Sequence, residues 1–336
     1  MTAQHYVISF TERGAPMMSE ISNTILSTEE GKEKYDATLK ELLANKQFLS
    51  RILKRFVSEF TGYPLEDIEK KYIEADSISV SKTGVERNRT NIDGISNEDK
   101  TLNEGNIYYD IIFRAYYPGK DGGYIGLYIN LEMQNAYYTG YDMEARGVYY
   151  AARRLSSQLK RINKDTDYRC LEKVYSIWIC MGDVPDYEAS TATLYRTEKC
   201  DMIGTVERRP EQYDLINVVI LRINDRKDPE DAVLRLLQVV CSDLIKKADK
   251  LALLQSYGIR LDDGVKGGVE RLCNISDLIE ARGEARGEAR GDARAKKRIA
   301  IEMLRDDIPY EKIARYTQTS IATIEQWGKE LLITTH

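Results

Sequence analysis

Histidine is almost absent from this chain. Only His5 and His336 occur among its 336 residues, one near each end. A Ser-His-Asp triad, a Cys-His pair and a histidine-ligated metal centre all need histidine inside the folded region, so the composition disfavours these sites. An enzyme of this composition must use carboxylates, lysine, tyrosine or a metal held by oxygen atoms. Such hard oxygen ligands favour Mg²⁺ or Mn²⁺.

Paired cysteines and long apolar runs are also lacking. The five cysteines stand singly, without a CxxC pair, which argues against a zinc ribbon or a disulfide framework and suits a reducing compartment. No apolar run approaches the ~20 residues that span a bilayer. The first residues lack the basic-then-apolar layout of a secretory signal. We therefore expect a cytoplasmic protein without a membrane partner.

The charge distribution is uneven. Hydrophobic residues make up 42% of the chain and charged residues 31%, which indicates a soluble globular protein. The net charge of −5 argues against binding nucleic acid with the whole surface. The segment 146–173, however, carries eight basic and three acidic residues. This patch is suited to phosphate contacts, although a solvated helix face has the same charge pattern.

Periodicity predicts a mixed sheet flanked by helices. Helical spacing or composition marks the segments 34–60, 65–73, 140–162 and 230–257. Strand-like runs cover 106–117, 124–134, 173–181 and 216–223. The first two strands are joined by a Pro/Gly/Asp cluster and form a predicted hairpin, whereas a helix separates the second strand from the third. Strands split by a helix indicate an α/β fold.

The C-terminal part of the chain has a different character. EARGEARGEARGDARA, beginning at Glu280, is a four-residue repeat in which acids and arginines form adjacent stripes, and it predicts a solvated helical arm or linker. The last residues predict helix, turn, helix, helix, with Pro309 near the second helix start and Thr319 or Ser320 capping the third. This tail fits a helix-turn-helix or a dimerisation and packing element.

The predicted domain division has four parts. They are an N-terminal segment at 1–33, a main domain at 34–257, a linker and charged arm at 258–298, and a small helical module at 299–336.

Two acids in the predicted hairpin stand out. In the second strand one face is apolar, and the other carries Asn130, Glu132 and Gln134. Asp110 lies 22 residues before Glu132, a separation that lets antiparallel pairing bring the two carboxylates together. Neighbouring buried carboxylates repel each other, and a divalent cation between them resolves this repulsion. The alternative is a strand-end cap at Asp110 and a surface acid on an edge strand at Glu132.

These acids belong to an ordered set of short motifs. The motifs are Asn103-Glu104-Gly105, Tyr109-Asp110-Ile111, Asn130-Leu131-Glu132-Met133-Gln134, Arg146 to Tyr150 with Arg154-Leu155-Ser156-Ser157-Gln158, and Lys173-Val174-Tyr175-Ser176-Ile177-Trp178-Ile179. Together they resemble the PD-(D/E)XK family transposases, also called recombination-promoting nucleases. The similarity covers roughly residues 40 to 225, and the charged arm is similar to that family's C-terminal extensions.

The resemblance implies a restriction-endonuclease-like core, a mixed sheet flanked by helices, with a helical C-terminal extension. It also implies a Mg²⁺- or Mn²⁺-dependent DNA endonuclease linked to bacterial recombination and mobile elements. In that pattern Asp110 and Glu132 bind the metal, and the Met133 backbone carbonyl is a further candidate ligand. The metal lowers the pKa of its water and offsets phosphate charge. Gln134 then orients that water or a phosphate oxygen.

Gln134 is where the chain departs from the parent D…E-x-K pattern, because glutamine lacks the positive charge of lysine. The departure predicts heavier reliance on metal or a cation borrowed from Arg114 or Arg146. Glu104 and Glu59 are weaker candidates for supporting the metal site, and capping or surface roles fit them as well.

Several basic and aromatic side chains are candidate DNA contacts, with helix packing and surface pairing as the alternative. They are Arg114, Arg146, Tyr150, Arg153, Arg154, Lys160 and Arg161. Two rival functions remain beside the endonuclease. One is a catalytically weak or inactive nuclease-like protein that binds DNA or a partner. The other is a structural homo-oligomer assembled through the repeat arm.

Overall fold

A computed structural model describes residues 28–81, 98–101, 105–119, 122–134, 137, 140–159 and 166–334. The helices are α1 (Thr28–Leu43), α2 (Lys46–Phe56), the single turn α3 (Leu65–Asp67), α4 (Met143–Ser157), α5 (Ala232–Cys241), α6 (Lys247–Ser256), α7 (Asp263–Arg305), α8 (Tyr310–Thr317) and α9 (Ile321–Thr334). The strands are β1 (Ser79–Val80), β2 (Glu98–Thr101), β3 (Gly105–Tyr108), β4 (Ile111–Pro118), β5 (Tyr124–Gln134), β6 (Lys173–Cys180), β7 (Thr191–Arg196) and β8 (Ile216–Arg222).

Six of the strands form one mixed sheet in the order β1-β4-β5-β6-β8-β7. β5, β6 and β8 run parallel to one another, whereas β1, β4 and β7 are antiparallel to their neighbours. The parallel strands lie in the middle. β6 and β8 are buried at every residue but the first, and β5 is mostly buried from Gly126 onward. This agrees with their long apolar runs, since a parallel strand is covered on both faces.

Helices cover both faces of this sheet. On one face α1, α2 and α5 pack against β4, β5, β6 and β8 in the largest apolar cluster. On the other face α4 packs on β6 and β8, around Trp178. The helix approaches closely at Gly147, where an added Cβ would lie 2.5 Å from Val218 Cγ1. The predicted α/β class, a mixed sheet flanked by helices, is therefore confirmed.

The hairpin of β4 and β5 is confirmed, but its first strand is shorter than predicted. The expected strand at 106–117 is divided: β3 ends at Tyr108 and pairs with β2 in a separate two-stranded sheet, and β4 begins at Ile111. The backbone carbonyl of Asp110, between them, accepts a hydrogen bond from Ser81 N at 2.8 Å. Asp110 thus lies at the entrance to the strand and outside its ladder.

Two other elements differ from the sequence prediction. The helix expected at 230–257 is interrupted at residues 242–246 and therefore forms two helices, α5 and α6. Asp231 caps the first of them through the N–H groups of Val233 and Leu234. The edge strand β7 was not predicted, since its side chains are mostly exposed and its sequence lacks an apolar run.

The chain divides into two compact units, one ending at Ser276 and the other beginning at Asp277. In the second unit the end of α7 packs with α8 and α9 around Ala300, Ile313 and Ile324. Ser320 caps α9 by accepting a hydrogen bond from Thr323 N at 3.2 Å, as predicted. The charged repeat is helical and belongs to α7, and its described side chains are exposed up to Arg294.

Within the described ranges, no helix has both the length and the apolar character needed to cross a bilayer.

Candidate functional site

Asp110 and Glu132 lie side by side where β4 begins. The pairing of Ile111 with Leu131 sets the register, which places Asp110 opposite Glu132. The Asp110 backbone N–H donates to Glu132 Oε1 at 3.3 Å. The two carboxylates are therefore adjacent, as the 22-residue separation predicted. Asp110, however, is the residue before β4 and not part of the strand.

Glu132 is buried in the centre of the sheet, with only 4% of its surface exposed. Its Oε1 also accepts a hydrogen bond from Asn130 Nδ2 at 3.0 Å. Burial, followed by the neighbouring charge of Asp110, raises the pKa of Glu132 well above its ordinary value. The edge-strand surface acid considered as the alternative does not describe this residue, since β5 lies between β4 and β6.

Both carboxylate oxygens of Asp110 are engaged. Oδ2 accepts the backbone N–H of Met133 at 2.9 Å, and Oδ1 forms an ion pair with Lys40 Nζ at 2.8 Å. The N–H and C=O of one residue in an extended strand point to the same side. The Met133 carbonyl consequently lies on the same side of β5 as Asp110, and its role as a metal ligand stays a prediction.

Lys40 is a member of the site that sequence reasoning missed. It lies on α1, is 3% exposed, and pairs with Asp36 one turn earlier as well as with Asp110. Burial alone would lower the pKa of Lys40, but the two carboxylates outweigh it and the pKa is raised. A signal was available: Lys40 lies between Leu39 and Leu43, on the apolar side of a predicted helix.

Gln134 contacts a different cation. Its Oε1 accepts a hydrogen bond from Arg146 at 3.3 Å. The Arg146 guanidinium also stacks over the rings of Tyr141, Tyr150 and Trp178, at 5.1 to 5.5 Å from their centroids. Burial raises the pKa of Glu132, and the charge of Arg146 lowers it by a smaller amount. Of the two borrowed cations considered from the sequence, Arg146 is the one that lies beside the acid pair.

Arg114 and Glu59 lie elsewhere. Arg114 is four residues along β4 from Asp110, roughly 13 Å at the usual strand rise, and pairs with Glu172. Glu59 accepts hydrogen bonds from Lys173 Nζ at 2.9 Å and Tyr175 Oη at 2.7 Å. The structure does not bring either side chain to the acid pair, and Glu59 belongs to a separate ion cluster.

The candidate DNA contacts on α4 are mostly packed inside the protein. Arg153 and Arg154 are only 5% and 8% exposed. Their guanidinium groups lie over the rings of Tyr149 and Tyr128, at 5.9 and 4.3 Å. Tyr150 packs edge-on against Trp178. Of the two roles considered from the sequence, packing within the protein describes Arg153, Arg154 and Tyr150 better than contact with DNA.

Three predicted residues cannot be placed in the site. Glu104, Lys160 and Arg161 lie outside the described residues.

The donor set around the acid pair fits a hard divalent cation. Among the residues that the structure describes, no three His, Cys, Asp or Glu side chains converge as metal ligands. Mg²⁺, however, commonly binds through one or two carboxylates and keeps several waters. Within the same residues, Asn130 Oδ1 is buried without a hydrogen-bond partner, and neither hydrogen bond to Glu132 uses Oε2. All of these candidate ligand atoms are oxygens.

Comparison of the chain with known protein families, with curated proteins and with solved structures gives no match.

Proposed function

We propose that this protein is a metal-dependent endodeoxyribonuclease of the PD-(D/E)XK type, with a restriction-endonuclease-like core. The proposal depends chiefly on one observation: the half-buried Asp110 and the buried Glu132 lie next to each other at the end of a central strand pair. Two carboxylates in such a position carry an electrostatic cost that a divalent cation removes. The resemblance to the family transposases extends the proposal to DNA as substrate and to recombination of bacterial mobile elements.

Each residue of the acid site would have a separate role in phosphodiester hydrolysis. Bound Mg²⁺ or Mn²⁺ would supply a water of lowered pKa and charge stabilisation for the phosphate. Asp110 and Glu132 would hold that ion, and the Met133 N–H fixes the orientation of the Asp110 carboxylate. Gln134 is oriented by Arg146. Its amide can accept a hydrogen bond from a water, or donate one to a water or a phosphate oxygen.

The test is nicking of supercoiled plasmid by the purified full chain in Mg²⁺ or Mn²⁺. Asp110→Asn and Glu132→Gln should each abolish nicking, because they remove charge at nearly constant shape. Asp231→Asn serves as the matched control, since Asn also caps a helix and Asp231 lies at the start of α5, away from the acid pair. Nicking that survives both site substitutions would refute the proposed site.

A second function has a specific observation in its favour. Both oxygens of Asp110 are already bound, and Gln134 has no charge, which fits a nuclease-like protein that binds DNA or a partner without efficient cleavage. Absence of nicking in every metal, together with DNA affinity that falls steeply with salt, would favour this function.

A further inference from the structure

We propose that Lys40 is the internal cation of the acid site and competes with a divalent metal for Asp110. This inference rests on the proposed metal site. It assigns to α1 the positive charge that the E-x-Q strand does not carry.

The contacts of Lys40 are those of a counter-ion. Its side chain is almost fully buried, and its ammonium contacts Asp36 and Asp110, the latter at 2.8 Å. Glu132 adds a third carboxylate next to Asp110. A buried carboxylate requires a cation or hydrogen-bond donors. Among the residues that the structure describes, Lys40 is the cation that pairs with Asp110.

A divalent ion bound by Asp110 would neutralise the same charge. The two cations would therefore be partly redundant, and each would weaken the other's interaction with the carboxylate. Removing the ammonium should destabilise the metal-free protein and, at the same time, strengthen its binding of metal. A lysine that served only to fill space would give the first effect without the second.

Lys250 provides a matched control within the same chain. It is as buried as Lys40, but its ammonium donates to backbone carbonyls at the end of α5, including Val240 O at 3.1 Å. Replacing it should cost stability because those carbonyls lose their donor. It has no carboxylate partner in these contacts, so no divalent ion is expected to replace it.

The experiment measures thermal unfolding of the full chain without DNA, in EDTA and across a MnCl₂ titration. The variants are Lys40→Met, Lys40→Gln and Lys250→Met. Lys40→Gln is included because its amide still donates a hydrogen bond and leaves folding less impaired. We expect lower Tm in EDTA for all three. Mn²⁺ should raise Tm of the Lys40 variants by about 5 °C or more at a hundredfold excess over Kd.

The Mn²⁺ concentration that gives half of this gain should be about tenfold lower for the Lys40 variants than for wild type. Lys250→Met should follow the wild-type Mn²⁺ response. Adding Asp110→Asn to Lys40→Gln should abolish the gain. The proposal is overturned if the Lys40 and Lys250 variants respond alike, if the gain survives Asp110→Asn, or if neither wild type nor a Lys40 variant responds to Mn²⁺.

This result can be separated from the proposed nuclease activity because it requires no turnover. The expected Mn²⁺ pattern in a protein that never nicks DNA would retain the role of Lys40 and remove the nuclease. Nicking without the Mn²⁺ pattern would do the reverse.

Discussion

Replacing Glu132 with glutamine should stabilise the metal-free protein. Glutamine preserves the shape of the side chain, and its amide oxygen can accept the hydrogen bonds that Oε1 receives from Asp110 N and Asn130 Nδ2. The substitution removes only the charge that burial and Asp110 disfavour. A mutation at the heart of the proposed site is thus expected to increase stability while abolishing function.

The size of the effect follows from the electrostatics. Two unit charges about 4 Å apart repel by about 4 kcal/mol at an effective dielectric constant of about 20. Lys40 offsets part of this repulsion through Asp110, and protonation of Glu132 relieves another part. A net gain of about 1–2 kcal/mol is a reasonable expectation, which corresponds to a rise in Tm of about 2–8 °C for a domain of this size.

The gain should depend on pH. A carboxyl whose folded pKa exceeds its unfolded value of about 4.3 takes up protons on folding. Wild-type stability should consequently fall as pH rises above that unfolded value, until the folded pKa of Glu132 has been passed. The difference in Tm between Glu132→Gln and wild type, measured in EDTA, should be small near pH 5 and grow toward pH 8.5.

Glu59→Gln is the control of opposite sign. Burial alone would raise the pKa of Glu59, but Lys173, together with the hydrogen bonds from Tyr175 and the backbone, outweighs burial and the pKa is lowered. Glu59→Gln should therefore lower Tm at pH 8.5, and its cost should shrink as pH falls through the lowered folded pKa. If Glu132→Gln instead lowers Tm at pH 8.5, the negative charge of Glu132 stabilises the metal-free fold and the electrostatic reasoning fails.

Two further substitutions test how α4 is held. Gly147→Ala should lower Tm by about 2–12 °C. The new methyl group would meet Val218 at 2.5 Å and Trp178 at 3.1 Å, and overpacking of this kind costs about 1–3 kcal/mol. An unchanged Tm would show that the helix moves to make room. Arg154→Met should lower Tm through loss of the contact with Tyr128 yet leave the salt dependence of DNA affinity unchanged. A decrease of about one in that salt slope would identify Arg154 as a phosphate contact instead.

The central part of the fold was predictable because its signals are local. The apolar runs that became β6 and β8, and the spacing that became α1, α2 and α4, report burial directly. β7 could not be found in this way, since an exposed edge strand buries little and has no apolar run. The division between β3 and β4 was missed because NIYYDIIFRAYY is strand-like throughout its length.

The acid pair was predictable for a related reason. Strand parity and the length of the hairpin depend only on spacing within one short segment, and the register of β4 with β5 follows from them. The distance of Arg114 from this pair also follows from spacing along one strand. The distance of Glu59 depends on long-range packing instead, and the sequence separation of Glu59 from the pair does not predict it.

Lys40 shows what spacing along the strands cannot reveal. In the strand pattern the residue two positions after Glu132 decides the charge of the site, and Gln134 therefore indicates a missing cation. In the folded chain the cation comes from a helix some seventy residues before Asp110. A buried carboxylate beside a half-buried one requires positive charge or hydrogen-bond donors nearby, and any element that packs there can supply them. The absence of lysine at position 134 is thus a property of β5, whereas the charge balance of the site includes α1.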